Sequence, residues 1–278
     1  MSLRIALVAG CPYPVPQGSQ AFIRENALAL QKRGHEVHII VYGYGTGPIT
    51  DNFQFHRCPD VPGSRRTTAG PSFKKLWLDL LMIRTVRKVC REHNIQVIFA
   101  HNYEGLLISL MSGFRPIIYH AHNAMSDELP YYFNSGKKFF HVLGDYIDRH
   151  LPQKADYVVV PHERLGANLL IKGCKKEKLR IISPPVDLTP FPVSQVNKDK
   201  IPPILYTGNL DKYQNLDFLF RVVERVRTSI PETRFIIGSF EKQDVPGAEV
   251  VYIGTFDSLK KLLEEDSVVV IPRVSWSG

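Results

Sequence analysis

The sequence predicts two Rossmann-like, doubly wound α/β domains, the second of them incomplete. Three observations carry this reading. Short apolar runs alternate with stretches whose apolar residues recur at helical spacing, the pattern of βαβ units around a parallel sheet. The opening pattern then starts again: Ile204 to Tyr206 is an apolar run ending in Thr207-Gly208, a polar turn follows, and Leu216, Leu219, Phe220 and Val223 form one helical face. Between the two beginnings lie Pro184, Pro185, Pro190, Pro192, Pro202 and Pro203, the composition of a connector. The expected division is 1–188 for the first domain, 189–202 for the linker and 203–278 for part of the second.

Taken in order, Leu3 to Ala9 reads as the first strand, followed by Cys11-Pro-Tyr-Pro-Val-Pro-Gln-Gly-Ser, a loop too rich in proline for regular structure. Phe22, Ile23, Ala27, Leu28 and Leu30 give the next helix its buried side, Gly34 stops it, and Glu36 to Val41 is a strand. Residues 42–70 read as loop with a short strand near Phe53 to Arg57. Gly43, Gly45 and Gly47 lack the spacing of a dinucleotide fingerprint and are read as a flexible turn. Phe73 to Arg91 is a basic amphipathic helix, with Phe73, Leu76, Trp77, Leu80 and Ile83 at helical spacing and Lys74, Lys75, Arg84, Arg87 and Lys88 between them. Core packing explains that stripe first; the sharper reading is a face for anionic lipid.

Strands are expected at Gln96 to Ala100 and Pro116 to His120, with a helix from Glu104 to Met111 between them. Gly136 to Leu151 is a further helix whose Phe139, Leu143, Tyr146 and Ile147 are read as core. Asp156 to Val160, Glu163 to Lys172 and Leu179 to Ser183 complete the first alternation as strand, helix and strand. The cluster Lys172, Lys175, Lys176, Lys178 and Arg180 is read as a solvated turn. In the second half, strands are expected at 204–208, 233–238, 250–253 and 267–271 and helices at 215–228 and 257–264. The valine run Val268 to Val270 implies a strand buried on both faces, and the lack of a covering helix after it marks the second domain as truncated.

Composition bounds the function. A hydrophobic content of 44% with 22% charged residues is that of a soluble globular chain. No apolar run approaches the ~20 residues of a membrane span, and Ile5 to Ala9 is too short for a signal peptide's apolar core, so a cytoplasmic protein is expected. Cys11, Cys58, Cys90 and Cys174 form no Cys-x-x-Cys pair, which argues for reduced thiols and against a thiolate metal site. The net charge of +8 favours anionic partners. No nucleic-acid-binding motif accompanies it, so a nucleic acid is not among the expected partners.

Ligands of open parallel sheets bind outside the carboxyl ends of the strands, which makes four strand tips the candidates. Gln17-Gly18-Ser19 offers backbone N–H groups at a helix start, or is an ordinary turn. Ala100-His101-Asn102-Tyr103-Glu104 and His120-Ala121-His122-Asn123 each carry His and Asn, which favours a polar ligand site; at period two, His120 and His122 point the same way. No zinc-pattern spacing follows them, so no metal is expected. In Gly208-Asn209-Leu210-Asp211-Lys212, Gly208 permits close backbone approach and Lys212 can meet an anion, although turn chemistry also explains the segment.

These residues, together with Gly34-His35-Glu36-Val37, Ala155-Asp156-Tyr157-Val158-Val159, Pro184-Pro185-Val186-Asp187 and Tyr206-Thr207-Gly208-Asn209-Leu210, give the chain a resemblance along nearly its whole length. It resembles the family-four glycosyltransferases of the GT-B fold. The resemblance implies a retaining transfer of a sugar from a nucleotide-sugar donor to a saccharide, lipid-linked or small-molecule acceptor, with no cofactor beyond the donor itself. It implies an acceptor held mainly by the first domain and a donor held by the second. His122 matches the family's histidine near the donor sugar and is the candidate catalytic residue; Gly18 matches the glycine of the first loop. Ser19, His101, Asn102, His120 and Asn123 are candidates for acceptor or sugar contacts, and Gly18, Gly208, Asn209, Lys212 and Gln214 for the donor. Two positions depart from the pattern: Asn209 and Gln214 stand where the family carries an arginine and a lysine on the donor diphosphate, and Lys212 is no equivalent replacement. The family's paired glutamates would lie beyond Gly278. The other function class left open is a non-catalytic nucleotide-sugar or glycan-binding protein on the same fold. A peripheral contact with the inner membrane surface is a further expectation.

Overall fold

The computed structural model describes residues 2–15, 18–45, 53–61, 73–133, 135–185, 200–210, 214–240, 243–254 and 256–272, except the side chains of residues 73, 74, 256 and 257. The chain divides near residue 186 into two compact units, each built on a wholly parallel sheet.

In the first unit the elements run β1 (Arg4–Ala9), α1 (Gly18–Lys32), β2 (Glu36–Val41), β3 (Gln54–Arg57), α2 (Phe73–Glu92), β4 (Val97–His101), α3 (Asn102–Ser112), β5 (Ile117–His120), α4 (Met125–Glu128), α5 (Lys137–His150), β6 (Tyr157–Val160), α6 (Glu163–Ile171) and β7 (Leu179–Ile181). The sheet order is β3-β2-β1-β4-β5-β6-β7. β1 is central, and its alternate residues feed two cores. Ala6 and Val8 join Ile40, Leu78, Met82 and Val86 on one face; Ile5 and Leu7 join Ile23, Ala27, Val37 and Ile39 on the other. The order reverses at β1, which has β2 on one side and β4 on the other, so a crevice opens beyond the carboxyl ends of β1 and β4.

The second unit repeats this start on a smaller scale. Its elements are β8 (Ile204–Thr207), α7 (Leu216–Arg227), β9 (Phe235–Ser239), β10 (Glu249–Tyr252), α8 (Phe256–Leu263) and β11 (Val268–Val269), in sheet order β10-β9-β8-β11. Its first strand again sits between its second and its fourth. Val268 and Val269 are half exposed on the edge strand, so the valine run is not buried on both faces as expected.

The two amphipathic helices of the first unit pack differently from the sequence reading. On α2 the buried stripe is Leu78, Met82, Val86 and Val89, whereas Leu76 and Leu80 are exposed and Trp77 is 68% exposed. Both stripes have helical period, so periodicity could not choose between them. α5 leaves Phe139 65% exposed, with Val142, Leu143 and Tyr146 also outside, and turns Gly144 and Asp148 inward. A Cβ at Gly144 would meet the Met125 carbonyl oxygen at 2.3 Å, so a glycine is needed for α5 to approach α4 this closely. The glycine-rich stretch after β2 is also better packed than a flexible turn: Tyr42 and Tyr44 are buried, and Cβ atoms at Gly43 and Gly45 would strike the Cys58 and Tyr13 carbonyls at 2.6 and 2.3 Å. Gly47 lies outside the described residues.

Asp148 fixes α4. Its carboxylate accepts the Met125 and Ser126 N–H groups at 2.8 and 3.0 Å, capping the start of α4, and pairs with Lys172 Nζ at 2.7 Å. Lys172 therefore does not belong to a solvated turn; its side chain is 9% exposed and also donates to Ser126 Oγ. With both charges withdrawn from water, removing Lys172 strands the Asp148 carboxylate, and removing Asp148 leaves Lys172 with Asp145 Oδ1 at 3.2 Å while uncapping α4. Asp148→Ala is expected to lower unfolding free energy by about 3–5 kcal/mol in urea titrations. A loss below about 1 kcal/mol would show that water reaches the pair.

Candidate functional site

The register of three neighbouring strands builds the site. Ala9 lies opposite His101 across β1 and β4, and His101 opposite His120 across β4 and β5. Three strands thus end level, and two of them end in histidine. His122 follows two residues beyond the end of β5, and one ring nitrogen from each of His101, His120 and His122 falls within 4.8 Å of the others. His101 Nδ1 and His122 Nε2 are 3.2 Å apart. Phe22, one turn into α1, covers the group with its ring centroid 4.6 Å from that of His120 and 5.0 Å from that of His122. Phe99 stacks on His120 from β4 at 5.2 Å.

His101 and His120 are buried, and among the described residues His101 Nε2 and both nitrogens of His120 have no hydrogen-bond partner. Burial holds all three rings neutral: His120 is pushed down to about 4 and His122 to about 3, with the His120 imidazole adding to the effect at His122. His101 is held well below its ordinary value for the same reasons. The neutral pair has two tautomeric choices. If His122 donated to His101, His101 would carry a buried N–H at Nε2 with no acceptor; buried orphan donors are rarer than orphan acceptors. His101 Nδ1–H therefore donates to His122 Nε2, which places the His122 proton on Nδ1. Among the described residues, His101 and His120 thus lack the outer acceptors that orient metal-ligating imidazoles.

A second group surrounds the end of β1. Gly10 admits Glu104, because a Cβ there would meet the Glu104 Cβ at 2.8 Å, and Gly105 admits α3, because a Cβ there would meet the Val8 carbonyl oxygen at 2.5 Å. Asn102 begins α3 with φ +60°, a left-handed conformation that asparagine tolerates and that turns the chain sharply from strand to helix. The Glu104 carboxyl is pushed up to about 7 by desolvation, opposed by the charge of Lys75. Asp79, which accepts from the Tyr42 hydroxyl at 2.6 Å, is raised as well, again by desolvation. Asn123 donates to Glu128 Oε2 at 3.0 Å, and the Tyr132 hydroxyl donates to the other Glu128 oxygen. All four cysteines are free, and burial pushes the Cys11 thiol up to about 12, too high for a thiolate nucleophile.

The sequence-derived candidates fall into two separate sets. His101, His120 and His122 come together, with Asn102 and Asn123 beside them in the chain. Gly18 and Ser19 form the first turn of α1 rather than a loop before it, one turn from Phe22. In the second unit, Gln214 Nε2 donates to Asn209 Oδ1 at 2.7 Å and the Tyr206 hydroxyl donates to the Asn209 carbonyl at 2.7 Å. A Cβ at Gly208 would meet that hydroxyl at 2.6 Å, so the glycine leaves room for the bond. Lys212 lies outside the described residues. Sequence reasoning passed over Glu104, Asp79 and Phe22. Glu104 stands within a quoted strand tip, but its raised pKa depends on burial against β1 and α2, which only the assembled sheet displays.

The match to the glycosyltransferase family 4 model covers residues 16–190, more than half of the chain. The chain belongs to glycosyltransferase family 4. A search of curated protein sequences finds no match. Among solved structures, sucrose-phosphate synthase from Thermosynechococcus elongatus is similar with a TM-score of 0.72 at 17% identity, covering 98% of this chain and 75% of that one. The catalytic domain of starch synthase IV from Arabidopsis thaliana, bound to ADP and acarbose, gives 0.66 at 12% identity, covering 99% and 79%. Anabaena HepE in complex with UDP and glucose gives 0.57 at 14% identity, covering 96% and 69%. At these identities the similarity establishes the fold, which is GT-B.

The buried titratable groups give two opposite pH dependences. His120 and His122 have folded values below the ordinary 6.5, so the stability they confer is full above pH 6.5 and is lost as pH falls toward 4 and 3. Glu104 is raised from 4.5 to about 7, so its contribution is full below pH 4.5 and is lost as pH rises through 7. Thermal melts at stepped pH are expected to show Glu104→Gln gaining on the native chain between pH 4.5 and 7 and no further above. A difference that stays flat with pH would place Glu104 in contact with solvent.

Proposed function

We propose that the protein transfers a sugar from a nucleotide-sugar donor to an acceptor hydroxyl with retention of configuration. The observation that carries this reading is the neutral histidine cluster at the carboxyl edge of the first sheet, in a family and fold of glycosyltransferases. His122, held by His101, directs its Nδ1–H outward as a hydrogen-bond donor to a hydroxyl of the transferring sugar. A neutral imidazole suits this role, since it orients without adding charge where positive charge develops at the anomeric carbon. Attack comes from the face on which the diphosphate leaves, and a donor phosphate oxygen takes the acceptor proton. Glu104 and Asp79, with Lys75 near them, bind acceptor hydroxyls. Gly18 and Ser19 offer free N–H groups at the start of α1, and Gly208, Asn209, Lys212 and Gln214 hold the donor. The solved structures of HepE with UDP and glucose and of starch synthase IV with ADP and acarbose support the choice of a nucleotide sugar and a saccharide.

The test is release of nucleoside diphosphate from UDP-, ADP- and GDP-sugars in the presence of saccharide acceptors. His122→Ala is expected to lower kcat about 100-fold with the fold intact by circular dichroism. Unchanged turnover would move the role to another histidine of the cluster.

One observation favours a second reading, a non-catalytic sugar-nucleotide or glycan-binding protein. Asn209 and Gln214 satisfy each other, so a neutral amide pair stands where the family's two cations would grip a diphosphate. Donor binding without turnover in any acceptor would support it.

The reading includes a peripheral contact with anionic lipid. On α2, Leu76, Trp77, Leu80, Arg84, Arg87, Lys88 and Arg91 fall within about 120° of one another around the axis, apolar at the helix start and basic toward its end. Among the described residues, no helix is long and apolar enough to cross a membrane. Trp77→Ser is expected to lower binding to phosphatidylglycerol vesicles about tenfold in co-sedimentation. Equal binding by the variant would dismiss the α2 face.

A further inference from the structure

On the face of the first sheet covered by α2, beside the edge strand β3, a second group of three histidines has no part in the proposed transfer. His38 is the third residue of β2, His56 lies on the neighbouring edge strand β3, and His93 directly follows α2. Their convergence follows from the topology. Residues paired across parallel strands point to the same face; His38 is opposite Gln54 and Ile40 opposite His56, so both histidines lie on the face covered by α2. α2 runs back from the carboxyl edge and ends over the amino half of β2, which delivers His93. One ring nitrogen from each of the three lies within 4.8 Å of the others, and His38 Nδ1 and His56 Nε2 are 3.0 Å apart.

Three features separate this cluster from the one at the carboxyl edge. His38 Nε2 lies 3.1 Å from Glu36 Oε1, and that carboxylate oxygen is itself fixed by Gln54 Nε2 at 3.1 Å. The outer nitrogen of His38 is thereby committed to the carboxylate and the inner one aimed at the centre, the carboxylate–histidine arrangement that orients metal ligands. His38 is buried while His56 and His93 are half-buried, so an ion can enter from solvent past the latter two. The ligands also stand at the carboxyl end of α2, where the helix dipole favours a cation. Arg4 acts against this, since its charge reaches His38; its guanidinium is turned to the Asn94 carbonyl at 2.9 Å.

We propose that His38, His56 and His93 bind one divalent transition-metal ion, zinc by choice of ligand, with water as the fourth ligand. Ligand nitrogens around tetrahedral zinc stand about 3.3 Å apart, so the His38–His56 pair is already close to this spacing and rotation of His93 completes it. Imidazole nitrogens without thiolates or further oxygen ligands select zinc, copper or nickel over magnesium and calcium. Bound there, the ion ties the edge strand β3 and the end of α2 to β2. It acts on stability beside the edge strand β3, on strands that carry none of the three histidines given the transfer chemistry.

The experiment uses the untagged chain freed of metal by a chelator. Zinc is titrated calorimetrically, cobalt(II) is added as a spectroscopic probe, and thermal midpoints are read with and without zinc. One equivalent of zinc, visible absorption of tetrahedral cobalt and a higher midpoint with zinc are expected. His56→Gln and His93→Asn are each expected to weaken zinc by about 100-fold, and Glu36→Gln, which leaves all three ligands in place, by about tenfold. Because Glu36→Gln alters only an exposed carboxylate, it keeps the test decisive if a ligand variant folds poorly. Failure of the native chain to take up zinc or cobalt would overturn the proposal. Undiminished binding in the His56→Gln, His93→Asn double variant would also overturn it, by assigning the ion to His101, His120 and His122.

Discussion

The level ends of β1, β4 and β5 are the constraint on which the rest of the first unit depends. A parallel pair has one register at which both faces stay buried, since a slip of one residue would exchange the two cores. With Ala9, His101 and His120 side by side, the residues after each strand emerge together, and no loop has to reach across the sheet to assemble the histidines. Gly105 and Gly10 then bring α3 against β1 so closely that Glu104 loses its water. Precision here comes from backbone packed on backbone.

Much of this was legible in the sequence. β2 was bounded correctly by Glu36 and Val41, and the second beginning at Ile204 reproduces the strand order of the first around its central strand. Strand tips could be found because buried parallel strands are short apolar runs with polar residues directly after them. His122 was legible only through family resemblance and tip position, since its grouping with His101 depends on which strands are neighbours.

What could not be read has a common physical cause. α2 and α5 each have more apolar surface than they bury, so helical period identifies the helix without saying which side faces inward. Lys172 was misread for the converse reason: a lysine near a helix end is ordinarily solvated, and its burial depends on Asp148, 24 residues earlier and on another element. His38, His56 and His93 show no metal-ligand spacing either, because the three come from three separate segments. Tertiary proximity made each of these groups, and a single sequence carries little trace of it.

The way α5 is held has a consequence for how such a chain can change. Its attachment combines a carboxylate cap, ion pairs from Asp145 and Asp148 to Lys172, the Phe140–Phe133 stack and a glycine that lets two backbones nearly touch, while Phe139, Val142 and Tyr146 face outward. Substitutions on that outer face cost the fold little, as surface changes away from caps and buried pairs generally do. The helix can therefore drift freely in what it displays, and a lineage built on this scaffold can acquire new surface contacts without disturbing the strand ends where the sugar chemistry is proposed to occur.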